Sequence, residues 1–333
     1  MAGVVNPACP AAQGPAFHSP GILCNPDGGR CRKQLPQIRA CAQAIPDADY
    51  VEPAGAGAIA GIVERFVAEG RDLIVVIGGD GTLSLVLTAL QRLPEPIPPI
   101  ALVPAGSTNT AALDLGMGGS PTAVLRQLER HYRAPQPGAA CLMRTPVAVA
   151  QGDAAPRIGT VFGLGALAAV IENFGQHRGP GHMTGEFGAF GTFSSAMAAL
   201  VAKRFTGPLT PVSMTTTVDG VPLAEQRYVL VLVSGLTRLL YGLRPYWGEG
   251  DGPLHYTAVG YQPHALLRVL PSLLRGRRHP RMTADNGYTS ANATTLEFDV
   301  DGIFVLDGEI HSASRTAGPL RVTAGRPVRF FRP

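Results

Sequence analysis

Between Leu73 and Leu85 the chain reads LIVVIGGDGTLSL. The aliphatic run Leu73–Ile77 suits a strand buried on both faces. It runs into Gly78-Gly79-Asp80-Gly81-Thr82, and an apolar helical pattern follows over Leu83–Arg92. Two glycines at the exit of a buried strand let the backbone turn sharply and approach a ligand with no Cβ between. A helix beginning near Thr82 aims unpaired N–H groups and its positive dipole end at the same space, where a phosphate is stabilised. The same residues also read as a strand-to-helix turn whose glycines serve sterics alone. Two more small polar loops follow strand-like runs, Asn25-Pro26-Asp27-Gly28-Gly29 and Pro104-Ala105-Gly106-Ser107-Thr108-Asn109-Thr110. None of the three matches GxxxxGK[ST] or GxGxxG with an acidic residue on the next strand. Far along the chain, Asp307-Gly308-Glu309 offers two carboxylates that share a side if the backbone is extended there. One would orient an attacking hydroxyl and the other hold metal, as phosphoryl transfer requires. A plain Asp-Gly turn, as at Asp301-Gly302, is the other reading.

The elements that must position these residues alternate strand and helix through residue 131. Strands are expected at Gly21–Cys24, Asp49–Glu52, Leu73–Ile77 and Ile100–Val103, and helices at Lys33–Ala44, Ala58–Glu69, Leu83–Arg92 and Pro121–His131. In the second helix Ile59, Ile62, Val63 and Phe66 fall on one face. This alternation reads as a parallel sheet covered on both faces, with its ligands at the carboxyl ends of the strands. The Pro-rich stretch Ala134-Pro135-Gln136-Pro137-Gly138 marks a domain boundary. Beyond it, strands are expected at Met143–Ala148, Thr160–Gly163, Val212–Val218, Tyr228–Ser234, His255–Val259, Thr294–Val300 and Ile303–Leu306. Gly220 and Gly302, each preceded by Asp, suit hairpin turns. Helices Ser194–Arg204 and Pro263–Leu274 interrupt the series. The second domain is thus expected to be mainly antiparallel β, with a cleft where it meets the first.

The 333 residues favour two domains, and a 45% hydrophobic content supplies ample core. Charged residues make up only 16%, while 41 glycines and 30 prolines imply many turns. The net charge of +4 is modest. Its one cluster, Arg275, Arg277, Arg278, His279 and Arg281, suits either an anionic partner or a solvated helix end. Cys9, Cys24, Cys31, Cys41 and Cys141 follow no zinc or secreted-scaffold spacing. No basic stripe is interleaved with stacking aromatics, which argues against nucleic-acid binding. No uninterrupted apolar segment reaches about 18 residues and no signal pattern opens the chain, so the expectation is a soluble cytoplasmic protein that visits a membrane surface only to fetch a substrate.

Asn25-Pro26 with its trailing glycines, GGDGT at 78–82, the 104–109 glycine loop and the late Asp307-Gly308-Glu309 together resemble the diacylglycerol kinase catalytic-domain family. That family takes in bacterial soluble diacylglycerol kinases, sphingosine and ceramide kinases and, more distantly, NAD and 6-phosphofructo kinases. GGDGT is common to all, and its pairing with DGE points to the lipid-kinase branch. The resemblance implies a three-layer Rossmann-like amino-terminal α/β domain over 20–138, a β-rich sandwich over 139–311 that takes the lipid, and a segment 312–333 returning to the first domain. It implies ATP and Mg2+ as cofactors. Asn25, Gly28, Gly79, Asp80, Gly81, Thr82, Gly106, Ser107, Thr108 and Asn109 would line nucleotide or phosphates. Asp307 resembles the family's proposed general base, with Asp80 second to it, and Glu309 would serve the metal and phosphate network. Around Glu172–Phe193 a looser match makes Arg178 either a phosphate contact or an exposed helix-end arginine. Asp251 resembles a structural magnesium ligand, or is a surface Asp-Gly turn. The implied partners are a lipid taken from a membrane surface and a second copy of the chain as homodimer.

Two departures stand out. Asn109 is followed by Thr110, where the family commonly has Asp, and Gly163–Ala168 is apolar where the bacterial type carries an acid. These imply an altered structural metal site, a different substrate subgroup or weakened catalysis. The expected activity is ATP-dependent phosphorylation of a lipid hydroxyl: diacylglycerol, sphingoid or ceramide-like. Leu167, Ile171, Phe174, Phe187, Phe190, Phe193 and Leu236–Tyr246 are candidates for an acyl groove or for core. A kinase of a soluble substrate, or a nucleotide- or lipid-binding protein with little turnover, are the alternatives.

Overall fold

The computed structural model describes residues 15–166, 168 and 211–333. Two compact units emerge, one running to Arg144 and resuming over Arg326–Pro333, the other within Thr145–Gly325. The expected helix at 194–204, the candidates Glu172, Arg178 and Gly191-Thr192-Phe193, and the groove residues Leu167, Ile171, Phe174, Phe187 and Phe190 lie outside the described residues.

The first unit runs β1 (Pro20–Cys24), α1 (Gly29–Gln43), β2 (Asp49–Val51), α2 (Ile59–Ala68), β3 (Leu73–Gly78), α3 (Asp80–Arg92), β4 (Ile100–Pro104), α4 (Thr110–Asp114), α5 (Pro121–Arg133) and β5 (Ala140–Arg144). The second runs β6 (Val147–Gln151), β7 (Arg157–Gly159), β8 (Val161–Gly165), β9 (Val212–Ser213), β10 (Thr215–Val218), β11 (Val221–Pro222), β12 (Arg227–Ser234), β13 (Leu254–Gly260), α6 (Leu266–Leu274), β14 (Tyr288–Ala293), β15 (Thr295–Asp299), β16 (Gly302–Leu306), β17 (Glu309–Ala313) and β18 (Leu320–Ala324). Strand β19 (Val328–Arg332) closes the chain.

The first unit is a three-layer α/β sheet in the order β2-β1-β3-β4-β19-β5. Every residue of β1, β3 and β4 is buried, which is why their sequences are continuous aliphatic runs rather than alternating ones. Helix α1 packs with α5, and α2 with α3, as expected when crossovers leave β1 in opposite directions and cover opposite faces. Helix α1 begins at Gly29, earlier than the pattern predicts, and Gln34 departs from helical geometry. Pro36 explains the kink, since its ring opposes the carbonyl of the preceding turn. Helix α5 starts cleanly because the Ser120 side chain accepts the Ala123 N–H, with Pro121 in the first turn.

The expected single strand Met143–Ala148 is two strands in different units. β5 pairs antiparallel with β19, whereas β6 pairs with β18 and β7. Thr145-Pro146 separates them, and proline cannot continue a ladder. The first unit therefore runs past the Pro-rich stretch to Arg144, and the return to it begins at Arg326 rather than 312. On β19, Phe331 packs edge-on to Phe17 at 4.7 Å and lies 4.8 Å from His131. The Arg144 Nε donates to the Asp114 Oδ2 at 2.6 Å, and that carboxylate is fully buried.

The second unit is a β-sandwich. One sheet is ordered β11-β10-β15-β18-β6-β7 and the other β14-β13-β12-β8-β16-β17. Their inner faces share a core of Val147, Phe162, Leu164, Val231, Tyr256, Phe298 and Phe304, among others. Phe162 stacks on Phe298 with ring centroids 5.7 Å apart. The apolar 163–168 stretch is thus explained in part by packing, because β8 lies between β12 and β16. The expected strand Val212–Val218 is broken at Met214 into β9 and β10. The sequence pattern missed β14, β17 and β18, whose residues are half-exposed or mixed in polarity.

Removing one partner of a buried ion pair leaves an uncompensated charge. Arg144→Met is expected to destabilise the first unit by about 3–5 kcal/mol, read as a lower denaturation midpoint. Arg133→Met, whose pairing with Glu129 is exposed, changes it by less than about 1 kcal/mol.

Candidate active site

In the strand order, β1 has β2 on one side and β3 on the other. The crevice at such a reversal, beyond the carboxyl ends of the strands, is where open α/β sheets bind ligands. The loops leaving β1, β3 and β4 meet there. The Asn25 N–H donates to the Ile77 carbonyl at 2.9 Å, and the Asn25 side-chain amide donates to Thr82 Oγ1 at 2.9 Å. Asn25 Oδ1 accepts the Asp27 N–H at 3.1 Å, folding the turn towards Gly28. The Arg30 N–H donates to the Ala105 carbonyl at 3.0 Å, and the Ala105 N–H to the Gly78 carbonyl at 2.9 Å.

Glycine is required where the second and third loops touch. A Cβ on Gly106 would lie 2.4 Å from the Gly79 Cα, and one on Gly79 would lie 3.0 Å from the Gly106 Cα. Backbone meets backbone, so no side chain can move aside. Asn109, in the left-handed region at φ 52°, closes the loop on itself. Its Oδ1 accepts the Gly106 N–H at 2.8 Å and its Nδ2 donates to the Gly106 carbonyl at 2.9 Å. Both ends of the Asn109 amide thus shape the loop, while Ser107 is exposed and Thr108 half-buried.

Asp80 is the centre of this cluster. Its Oδ2 accepts the Thr108 hydroxyl at 2.9 Å and the Thr110 N–H at 3.0 Å, and its Oδ1 accepts the Ala111 N–H at 3.2 Å. The carboxylate therefore ties the start of α3 to the start of α4. Thr110 contributes its main chain here, so the departure from Asp at that position leaves this contact intact. Gly79 caps α3 with no side-chain hydrogen bond, so the first N–H groups of that helix remain available to an anion.

Behind the first loop lies a polar chain that the sequence did not reveal. The thiols of Cys24 and Cys31 are 3.3 Å apart and both residues are buried. The Cys31 hydrogen bond holds the Cys24 thiol below its usual range and pushes Cys31 itself up. Arg39 grips Glu52 through two bonds of 2.6 and 2.7 Å and lowers its carboxyl, while the Tyr50 hydroxyl donates to Glu52 at 2.6 Å.

In the second unit the chain is not extended at Asp307-Gly308. With φ of 50° and 87° and Leu306 paired with Glu309, these two residues form the tight type I′ turn joining β16 to β17. Asp307 and Glu309 consequently do not share a strand face. Asp307 is half-buried and Glu309 exposed. Asp307 Oδ1 accepts the Thr160 hydroxyl at 2.7 Å and the Val161 N–H at 2.9 Å, and the Thr160 N–H lies within 3.0 Å of both oxygens. Asp219-Gly220 repeats the device: φ of 46° and 81°, with Asp219 Oδ1 accepting the Thr294 and Thr295 N–H groups at 3.0 and 2.8 Å. Asp251 is exposed.

Among the described residues no three His, Cys, Asp or Glu side chains gather into a metal-binding cluster. Magnesium ordinarily takes one or two carboxylates and completes its shell with substrate phosphates and water. Asp80, a single carboxylate at the start of α3, fits that pattern, and Asp251 and Glu309 belong to no such cluster among the described residues.

Residues 20–137 match the model of the diacylglycerol kinase catalytic domain. A 68-residue stretch is 43% identical to a Stenotrophomonas maltophilia (strain K279a) protein named "Probable lipid kinase YegS-like"; the match takes in 18% of this chain and only 22% of that relative's length. The crystal structure of a diacylglycerol kinase from Bacillus anthracis str. Sterne superposes with TM-score 0.60 at 16% identity, covering 95% of this chain and 98% of that one. A further structure from the same organism gives TM-score 0.65 at 18% identity over 94% and 97% of the two chains. At such identities the likeness is one of fold, and it extends over both units.

Gly106→Ala is expected to force the second and third loops apart. The readout is a melting temperature below that of the unchanged protein, equivalent to a loss of about 1–3 kcal/mol of stability. On β17, burial first and Arg157 second hold His311 below the ordinary imidazole value, with Glu309 pulling upward. A folded value below the unfolded one means the unfolded chain binds the extra proton. Stability then falls as pH drops below about 6.5. Melting temperature should decline less between pH 7 and 5.5 in His311→Gln than in the unchanged protein.

Proposed function

From the premise that residues 20–137 belong to the diacylglycerol kinase catalytic-domain family, we propose that this chain is an ATP-dependent lipid kinase, transferring the γ-phosphate to a lipid hydroxyl of diacylglycerol, sphingoid or ceramide type. The observation that carries the reading is the meeting of three small-residue loops, the first bonded to the second through Asn25 and Thr82 and the second bonded to the third through Asp80. Asn25, Gly28, Gly79–Thr82 and Gly106–Thr108 line the nucleotide, with Asn109 holding the third loop in shape. Loop N–H groups and the start of α3 receive phosphate oxygens. Magnesium supplies charge neutralisation on the transferring phosphate. Asp80 is held in one orientation by its three donors, so it faces metal or an acceptor hydroxyl without rotating away. In this reading Asp307 receives the acceptor proton, and its anchoring by Thr160 and Val161 fixes the position of the carboxylate.

One observation favours a second reading. Asp307 has the turn geometry and main-chain donors of Asp219, which has no place in the chemistry. Asp307 is then a structural brace, and the chain either relies on Asp80 alone or binds nucleotide and lipid with little turnover.

The two readings separate in one assay of γ-phosphate transfer from radiolabelled ATP to a panel of detergent-dispersed lipids. Asp307→Asn and Asp219→Asn should cost similar stability. In the kinase reading only Asp307→Asn and Asp80→Asn reduce transfer, each by about 10²–10⁴-fold. Equal activity of Asp307→Asn and Asp219→Asn makes Asp307 a brace. No labelled lipid with any acceptor, in protein that still binds Mg2+–ATP, rejects the lipid-kinase reading.

A further inference from the structure

Helix α6 lies against the sheet through Leu266, Val269 and Leu273, which pack with Val259, Met282 and Tyr288. A helix on the solvent side of a sheet ordinarily turns polar residues outward. This one does not. Leu267 is 60% exposed, Pro271 is exposed, and Leu270 and Leu274 are half-buried. Arg268 and Ser272 are the only polar residues in its sequence.

Charge gathers around this apolar face with one sign. From Gly252 to Ala284 the chain carries five arginines (Arg268, Arg275, Arg277, Arg278 and Arg281) and no Asp or Glu. Arg275, Arg277 and Arg278 are exposed at the end of α6. Exposed Arg244 joins them, since its N–H donates to the Leu274 carbonyl at 3.0 Å. Among the described residues the counter-charges are few: Glu249 pairs with Arg278 at 2.9 Å, with the two side chains 79% and 70% exposed, and Asp251 and Asp285 flank the segment in sequence. An ion pair that exposed exchanges readily for another anion.

We propose that the outer face of α6, with the arginines that follow it, docks on an anionic lipid bilayer. Leu267, Leu270 and Pro271 enter the interface and the guanidinium groups engage lipid phosphates. The charge complementarity selects a bilayer over a second copy of this basic surface, which would repel its twin. The inference deepens the lipid-kinase reading and rests on it for its purpose, but the binding itself needs no turnover.

The test is co-sedimentation of the full chain with vesicles of phosphatidylcholine alone and of phosphatidylcholine mixed with phosphatidylglycerol. Binding to the mixed vesicles only, weakening as salt is raised, is expected. The combined variant Arg275→Ala, Arg277→Ala, Arg278→Ala should lose about a hundredfold in vesicle affinity. Leu267→Ser should lose severalfold at every salt concentration. Both should keep the melting temperature and the transfer to detergent-dispersed lipid. Unchanged binding by the triple variant, equal binding to both vesicle types, or an α6-dependent dimer without vesicle binding overturns the proposal. Transfer to dispersed lipid without vesicle binding removes the docking surface and leaves the kinase. Vesicle binding without transfer to any lipid keeps the surface and removes the kinase reading.

Discussion

The first unit depends on one carboxylate. Asp80 accepts a hydroxyl and two main-chain N–H groups from the loop and helix that follow β4, and this fixes two loops that start on neighbouring parallel strands. Parallel strands alone set loop origins about 4.8 Å apart but leave loop conformation free. The direct backbone contact of Gly79 with Gly106 and the amide of Asn109 folded onto Gly106 close the two loops on each other through their own main chain. Under the proposed function, pre-organisation of this kind removes ordering cost from nucleotide binding.

Gly79 of GGDGT therefore answers a steric demand first. Gly79 must accept a neighbouring backbone, and under the proposed function the same lack of Cβ leaves the loop open to phosphate. Of the two explanations offered by the sequence, the steric one is met in this fold, and ligand approach belongs to the proposed function.

The second unit shows how far a motif can be matched by plain turn chemistry. Asp307-Gly308 and Asp219-Gly220 are both type I′ turns in which Asp takes a left-handed backbone and its carboxylate accepts N–H groups from an adjoining strand segment. Asp, like Asn, tolerates that conformation better than most non-glycine residues. A reading of Asp307 from its motif and a reading from its geometry thus point to different duties.

The chain order of hydrophobic runs determined the strands β1, β3, β4, β12 and β13 and the helices α2 and α3, because burial on one or both faces dictates composition within a few residues. It also marked the three loops by their Gly, Asn and Asp, of which only Asn109 takes a left-handed backbone, while Gly79 and Gly106 serve close backbone approach. It could not show β14, β17 and β18, whose mixed polarity comes from half-buried positions, nor that Thr145-Pro146 divides one apolar run between two units. Only the tertiary structure decided that Asp80 is held by Thr108, Thr110 and Ala111, that Cys24 meets Cys31, and that α6 leaves Leu267 in solvent. Each of these joins residues through space at separations that no local pattern encodes, or depends on which face of a helix the sheet happens to cover.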